Sequence, residues 1–201
     1  MTESMGVVTY YDFGLSHAET PTQALRAWAA RVRAETGVIE TMLFGEIGRP
    51  ERFALVETWA DHETLKVHRA SGAREEGSIA TGMVAPPDER IGEPFTIETA
   101  RPAGPQAVYV LIHVDVATFE LGAVGDWLRA VSEAARSAPG ASRYEVWRQV
   151  GRPNHFTVIQ AWADRDAYAR HIEDAATRAF RDKVMSVKGA LYDERLYHLL
   201  D

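Results

Sequence analysis

Cysteine is absent from this 201-residue chain. That excludes disulfides, thiolate metal sites and a cysteine nucleophile, and it fits a reducing compartment. No apolar stretch approaches the roughly 20 residues that span a bilayer. The first residues, MTESMGVVTYYDF, hold neither a basic segment nor a long apolar run. No signal peptide and a cytoplasmic location are therefore the expectation. An excess of basic residues is also missing. Lys and Arg number 22 against 29 Asp and Glu, a net charge of −7, which argues against nucleic acid or an anionic membrane as partner. There is no glycine-rich phosphate loop and no G-x-S-x-G elbow. Asparagine occurs once, at Asn154.

What is present is a repeat. GRPERFALVETWADHETLKVHRAS at residues 48–71 returns as GRPNHFTVIQAWADRDAYARHIED at residues 151–174. The offset is a constant 103: Phe53 matches Phe156, Trp59 matches Trp162 and His68 matches His171. Extended back to Gly37 and Gly140, 35 positions align without a gap and 9 are identical. The copies differ in charge: residues 1–100 are net −7 and residues 101–201 are neutral.

Each copy reads as strand, corner, helix. Phe53, Leu55, Glu57 and Trp59 alternate onto one strand face. Asp61 and Asp164 are placed to cap the helices that follow, and His68 and His171 fall on the inward stripe with Leu65 and Tyr168. In chain order, residues 7–13 read as a strand from their β-branched and aromatic content. Thr20-Pro21-Thr22-Gln23 reads as a helix start, with Thr20 as cap, and Gly37 as its stop. Strands over 38–47 and 52–59 flank the hairpin signal Gly48-Arg49-Pro50. A helix over 62–76, a Gly- and Pro-containing loop over 77–93 and a strand over 95–99 complete the first copy. The second copy repeats this order, its second helix running to 187 and its last strand over 192–200. The expected fold is α+β: two ferredoxin-like β-α-β-β-α-β repeats, 1–100 and 107–201, joined by a linker over 101–106. A four-stranded sheet with both helices on one face leaves the other face to be covered. Packing the copies sheet to sheet would make an α+β barrel within one chain.

The order of apolar strand, Trp-Ala-Asp, then a His nine residues after the Trp resembles the antibiotic biosynthesis monooxygenase domain of the dimeric α+β barrel superfamily. Both copies carry it, at Trp59-Ala60-Asp61 with His68 and at Trp162-Ala163-Asp164 with His171. The resemblance implies a monooxygenase that takes dioxygen and a small polycyclic, quinol- or anthrone-type aromatic, with no flavin, metal or other cofactor. The substrate supplies the electrons; the protein supplies an apolar pocket, a base and donors to an enolate oxygen. It implies catalytic roles for His171, Trp162, His113, Tyr168, His68 and Trp59, and substrate contacts for Tyr10, Glu57, Gln160 and Phe156. Where anthrone oxygenases of this family carry a first-strand asparagine, this chain has Tyr10, Tyr11 and His113. Most single-copy members are dimers, and a homodimer of this chain is compatible with the sequence.

Other readings stand beside this one. A Trp at a strand–helix corner and an inward His on a helix also serve a plain core. The same residues suit a non-catalytic small-molecule-binding or stress-response protein, or an isomerase using His as a proton shuttle. His62-Glu63 with His68 has the wrong spacing for a zinc protease. Between the copies, the longer second helix and the residues His113, Tyr168 and Gln160 favour the second as the working pocket.

Overall fold

The computed structural model describes residues 3–14, 19–71, 79, 82–98, 100–190 and 193–200. The chain divides into two compact units, one of Met1–Glu93 with His198–Asp201, the other of Pro94–Tyr197. Each is α+β with an antiparallel sheet. These units differ from the sequence repeats in two places: residues 94–100 group with the second repeat, and residues 198–201 with the first.

The first unit runs β1 Met5–Asp12, α1 Glu19–Arg33, β2 Val38–Glu46, β3 Arg49–Trp59, α2 His62–Ala70 and β4, whose strand Asp88–Thr96 continues into the second unit. Pairing places the strands in the order β4-β1-β3-β2. The register Met5↔Trp59, Val7↔Glu57 and Tyr11↔Phe53 fixes which residues share a face. On the helix side, Met5, Val7, Tyr11, Phe13, Phe53, Leu55 and Trp59 join Leu25, Trp28, Val32 and Leu65 in one core. The segment after β8 lies along β2: Leu200 N–H donates to the Leu43 carbonyl at 2.9 Å, and Arg26 donates twice to the Leu200 carbonyl.

The second unit runs β5 Val108–Asp115, a 3-10 turn Thr118–Glu120, α3 Leu121–Arg136, β6 Ala141–Gln149, β7 His155–Trp162, α4 Arg165–Glu173, α5 Ala175–Val187 and β8 Asp193–Leu199. Its strand order is β8-β5-β7-β6. Asn154 serves structure here, its side-chain amide donating to the Val116 carbonyl at 2.8 Å.

The corner between each Trp-ended strand and its helix is built the same way. Asp61 accepts from Thr64 N–H at 2.8 Å and Asp164 from Ala167 N–H at 2.7 Å. Gly37 and Gly140 sit at φ +90° and +88°, and their carbonyls accept from Ala60 and Ala163 N–H. A Cβ on Gly37 would lie 2.5 Å from the Thr64 side chain, and one on Gly140 2.6 Å from Ala167. Glycine is required there for both conformation and space.

Several boundaries depart from the sequence reading. The strand expected at 95–99 is Asp88–Thr96. Its first half, Asp-Glu-Arg, looks like a loop, but pairing with β1 from Tyr10↔Asp88 to Gly6↔Gly92 supplies the stabilisation that composition does not. The first hairpin turns at residues 47–48, so Arg49 and Pro50 already belong to β3. Helix α1 begins at Glu19, ahead of the expected Thr20 cap. Helix α2 ends at Ala70, and residues 72–76 of the expected longer helix lie outside the described residues. The long helix expected to reach 187 is two helices. Asp174 leaves the helical conformation at ψ 143° and caps the second through Ala176 N–H.

Candidate functional site

The conserved offset brings a buried Trp and a buried His together in each unit, between sheet and helix. In the first, Trp59 ends β3 and is fully buried. Its indole N–H donates to Glu57 Oε2 at 2.9 Å, two residues back on the same strand face. His68, two turns into α2, lays its ring 4.7 Å from that of Trp59 and 5.8 Å from that of Trp28. His68 Nδ1 lies 2.8 Å from Glu35 Oε2, in the turn after α1. Two carboxylates therefore bracket a Trp–His stack.

The second unit keeps the stack and changes its partners. Trp162 N–H donates to the Gln160 amide oxygen at 2.8 Å. His171 stacks on Trp162 at 4.3 Å and meets Tyr144 edge-on at 5.9 Å. Its Nδ1 lies 3.2 Å from Thr177 Oγ1, the first turn of α5. Burial, and then the Arg181 charge, push the His171 imidazole down to about 4, with Asp174 opposing. Tyr168 donates its hydroxyl to Glu194, which also pairs with Arg181 at 2.6 Å. Burial and the Glu194 charge hold that phenol protonated far above its ordinary range.

Not every expected residue joins these groups. Trp162, His171, Tyr168 and Gln160 come together, as do Trp59, His68 and Glu57. His113 pairs with Thr157 in the β5–β7 register, so it faces away from Trp162 and Gln160; its Nδ1 lies 3.3 Å from Thr157 Oγ1. Tyr10 pairs with Ala54 and is likewise on the face opposite Trp59, while its neighbour Tyr11 is in the helix-side core. Phe156 is on the Trp162 face but packs its ring against Phe95 at 5.2 Å. Glu35, Trp28, Tyr144 and Thr177 were not singled out as site residues. Leu25, Trp28, Ala29 and Val32 recur in the sequence at the spacing of an amphipathic helix, so Trp28 carries a packing signal; Glu35 is 33 residues from His68 and carries no local signal.

Residues 107–183 match the family model for antibiotic biosynthesis monooxygenase. That match lies within the second repeat. The matched segment includes the Trp162–His171 stack. The fold of the whole chain is shared with solved structures. A candidate monooxygenase from Fusobacterium nucleatum is 12% identical with a TM-score of 0.85, over 100% of this chain and 94% of that one. An anthrone oxidase-like protein is 13% identical with a TM-score of 0.75, over 99% and 92%. A major regulator of staphylococcal pathogenesis is also similar, at 13% identity and a TM-score of 0.65, over 98% and 99%. Identities this low establish a shared fold and leave the chemistry to the site. No curated protein matches the chain. No helix among the described residues is long and apolar enough to cross a membrane.

Proposed function

We propose that the chain is a cofactor-independent monooxygenase that oxidises an anthrone- or quinol-type aromatic with dioxygen, and that the chemistry belongs to the first unit. The observation that carries this is the Glu35–His68 pair on the face of Trp59. A carboxylate only accepts, so Nδ1 carries the hydrogen and donates it to Glu35; in the neutral ring Nε2 then holds the lone pair. That is the electronic state of a general base.

In the proposed reaction His68 takes a proton from the substrate methylene. The resulting carbanion passes electrons to dioxygen and a C–O bond forms. Loss of the second C–H proton and cleavage of the O–O bond release water and leave a carbonyl, so one CH2 and one O2 become one C=O and one H2O. Trp59 and Trp28, both buried, form the apolar wall around the His68 ring.

The second unit has lost these charges. Gln160 stands at the position of Glu57, Ala138 at that of Glu35, and a neutral hydroxyl faces His171. These differences support a non-catalytic binding or packing role for that copy, the reverse of what helix length alone suggests. The test is quinone formation from an anthrone under air. Wild type and His171→Ala should turn over, and His68→Ala should lose at least about a hundredfold in kcat. Loss in His171→Ala with retention in His68→Ala would reverse the assignment. No quinone above the buffer rate across several phenols would refute the oxygenase reading.

We also infer that the two repeats pack sheet to sheet as an intrachain α+β barrel, in a cytoplasmic setting. Support comes from β1, buried along both faces from Met5 to Tyr10. Residues 1–103 and 104–201 expressed separately should be insoluble or self-associating. Two soluble monomeric fragments would rule it out.

A further inference from the structure

A second site borders the Trp–His stack of the second unit. Where α3 ends, the segment after β4 and the start of β6 enclose a cleft of about 160 Å3. It is lined by Glu98, Arg101, Arg136, Ser142, Arg143 and Tyr144 among others, all in the second unit. Three guanidinium groups thus meet one lining carboxylate. Glu145 pairs with Arg143 at 3.2 Å, and each of those side chains is only 9% exposed. The remaining balance is positive.

Each arginine is held in place. Arg136 Nε donates to the Tyr144 carbonyl at 3.0 Å. Arg101 Nη2 donates to the Arg136 carbonyl at 2.8 Å, and Arg101 N–H to the Ser142 carbonyl at 2.8 Å. The Arg136 Nη2 is buried and has no hydrogen-bond partner among the protein atoms. A buried guanidinium nitrogen left unpaired is costly, and an acceptor from outside would complete it. The fork already shows what it takes: Glu98 Oε2 lies 3.0 Å from Arg136 Nε. The Glu98 side chain is 61% exposed, so it can swing into water and cede its place.

We propose that this cleft binds a small organic carboxylate, with Arg136 as the recognising fork, Arg101 adding charge and Glu98 as an internal stand-in for the ligand. The volume suits a small acid and is below the several hundred Å3 of a pocket for a polycyclic substrate. Planar two-point contact favours a carboxylate at an arginine. Tyr144 lines the cleft and touches His171, so occupancy is placed next to the second unit's stack. This site is independent of whether the first unit oxidises anything.

Benzoate titrated into the labelled full chain, followed by NMR at Arg136 Nε–H and the Tyr144 amide, tests the proposal. Saturable shifts with a millimolar Kd are expected, and neutral benzamide should give none. Glu98→Gln removes the internal competitor and should tighten benzoate about tenfold, equivalent to one charged hydrogen bond. Arg136→Lys should weaken it several-fold, because an ammonium lacks the fork. Glu98 is exposed, so its variant keeps the test valid if Arg136 variants fail to fold. No saturation by about 50 mM benzoate, or an unchanged affinity in Glu98→Gln, overturns the proposal. Phosphate binding tighter than benzoate would show a general anion site and overturn the carboxylate assignment.

Discussion

Acid should weaken this protein through His171, by an amount that can be worked out. The ring is 4% exposed, and burial with the Arg181 charge brings its pKa to about 4 from the ordinary 6.5. In the unfolded chain the imidazole takes its proton near pH 6.5; in the fold it does so only near 4. Between those values the unfolded state holds more protons, so stability rises with pH across that window and is level above it. The lost stability is about 1 kcal/mol at pH 5.5 and about 2–3 kcal/mol at pH 4.5. Carboxylates titrate in the same range, so the comparison must be differential. Urea unfolding of wild type and His171→Gln at pH 7.5, 5.5 and 4.5 isolates the term. The variant should be the less stable at pH 7.5, where it loses the stack on Trp162, and the gap should narrow or invert by pH 4.5. A gap that does not change with pH, or a His171 ring titrating near 6.5 by NMR, would refute the reasoning.

Three further outcomes follow from the packing. Gly37→Ala and Gly140→Ala should each cost about 1–3 kcal/mol or more, since both combine a positive φ with a Cβ overlap; a neutral result by thermal unfolding would contradict the corner geometry. Trp59→Phe should cost about 2 kcal/mol and Trp162→Phe about 1 kcal/mol, because the first loses a bond to a carboxylate and the second a bond to an amide. Equal costs in chemical denaturation would argue that Glu57 and Gln160 act alike. Removing residues 199–201 should lower stability by about 1–3 kcal/mol through the lost Leu200–Leu43 and Arg26–Leu200 bonds, and hydrogen exchange should quicken at β2 before β6.

The repeated corner could be read directly from the chain. Asp61 and Asp164, Gly37 and Gly140, Trp59 and Trp162 each act through neighbours a few residues away, and short-range rules find such contacts. The start of β4 could not be read this way, because Asp88-Glu89-Arg90 is a strand only by virtue of β1 beside it. The break at Asp174 did leave a signal, an Asp ahead of Ala-Ala-Thr, but no proline or glycine drew attention to it. At the site, the Trp–His pairing was legible from the offset. The Glu35 contact was not, since nothing in its surroundings marks a residue whose partner lies 33 positions on. Face assignment decided the rest: alternation alone says that Tyr10 and Tyr11 point oppositely, but only the pairing register shows which of them faces the helices.

The division of the chain also has a consequence for synthesis. The second unit is contiguous, Pro94–Tyr197, whereas the first needs residues 198–201 to finish its sheet beside β2. On a ribosome the N-terminal segment is made first and domains commonly fold in that order. Here the order of completion is inverted. The second unit can close as soon as Tyr197 has emerged, while β2 waits with an unpaired edge until Leu200 arrives. The repeat begun first is thus the last to be sealed.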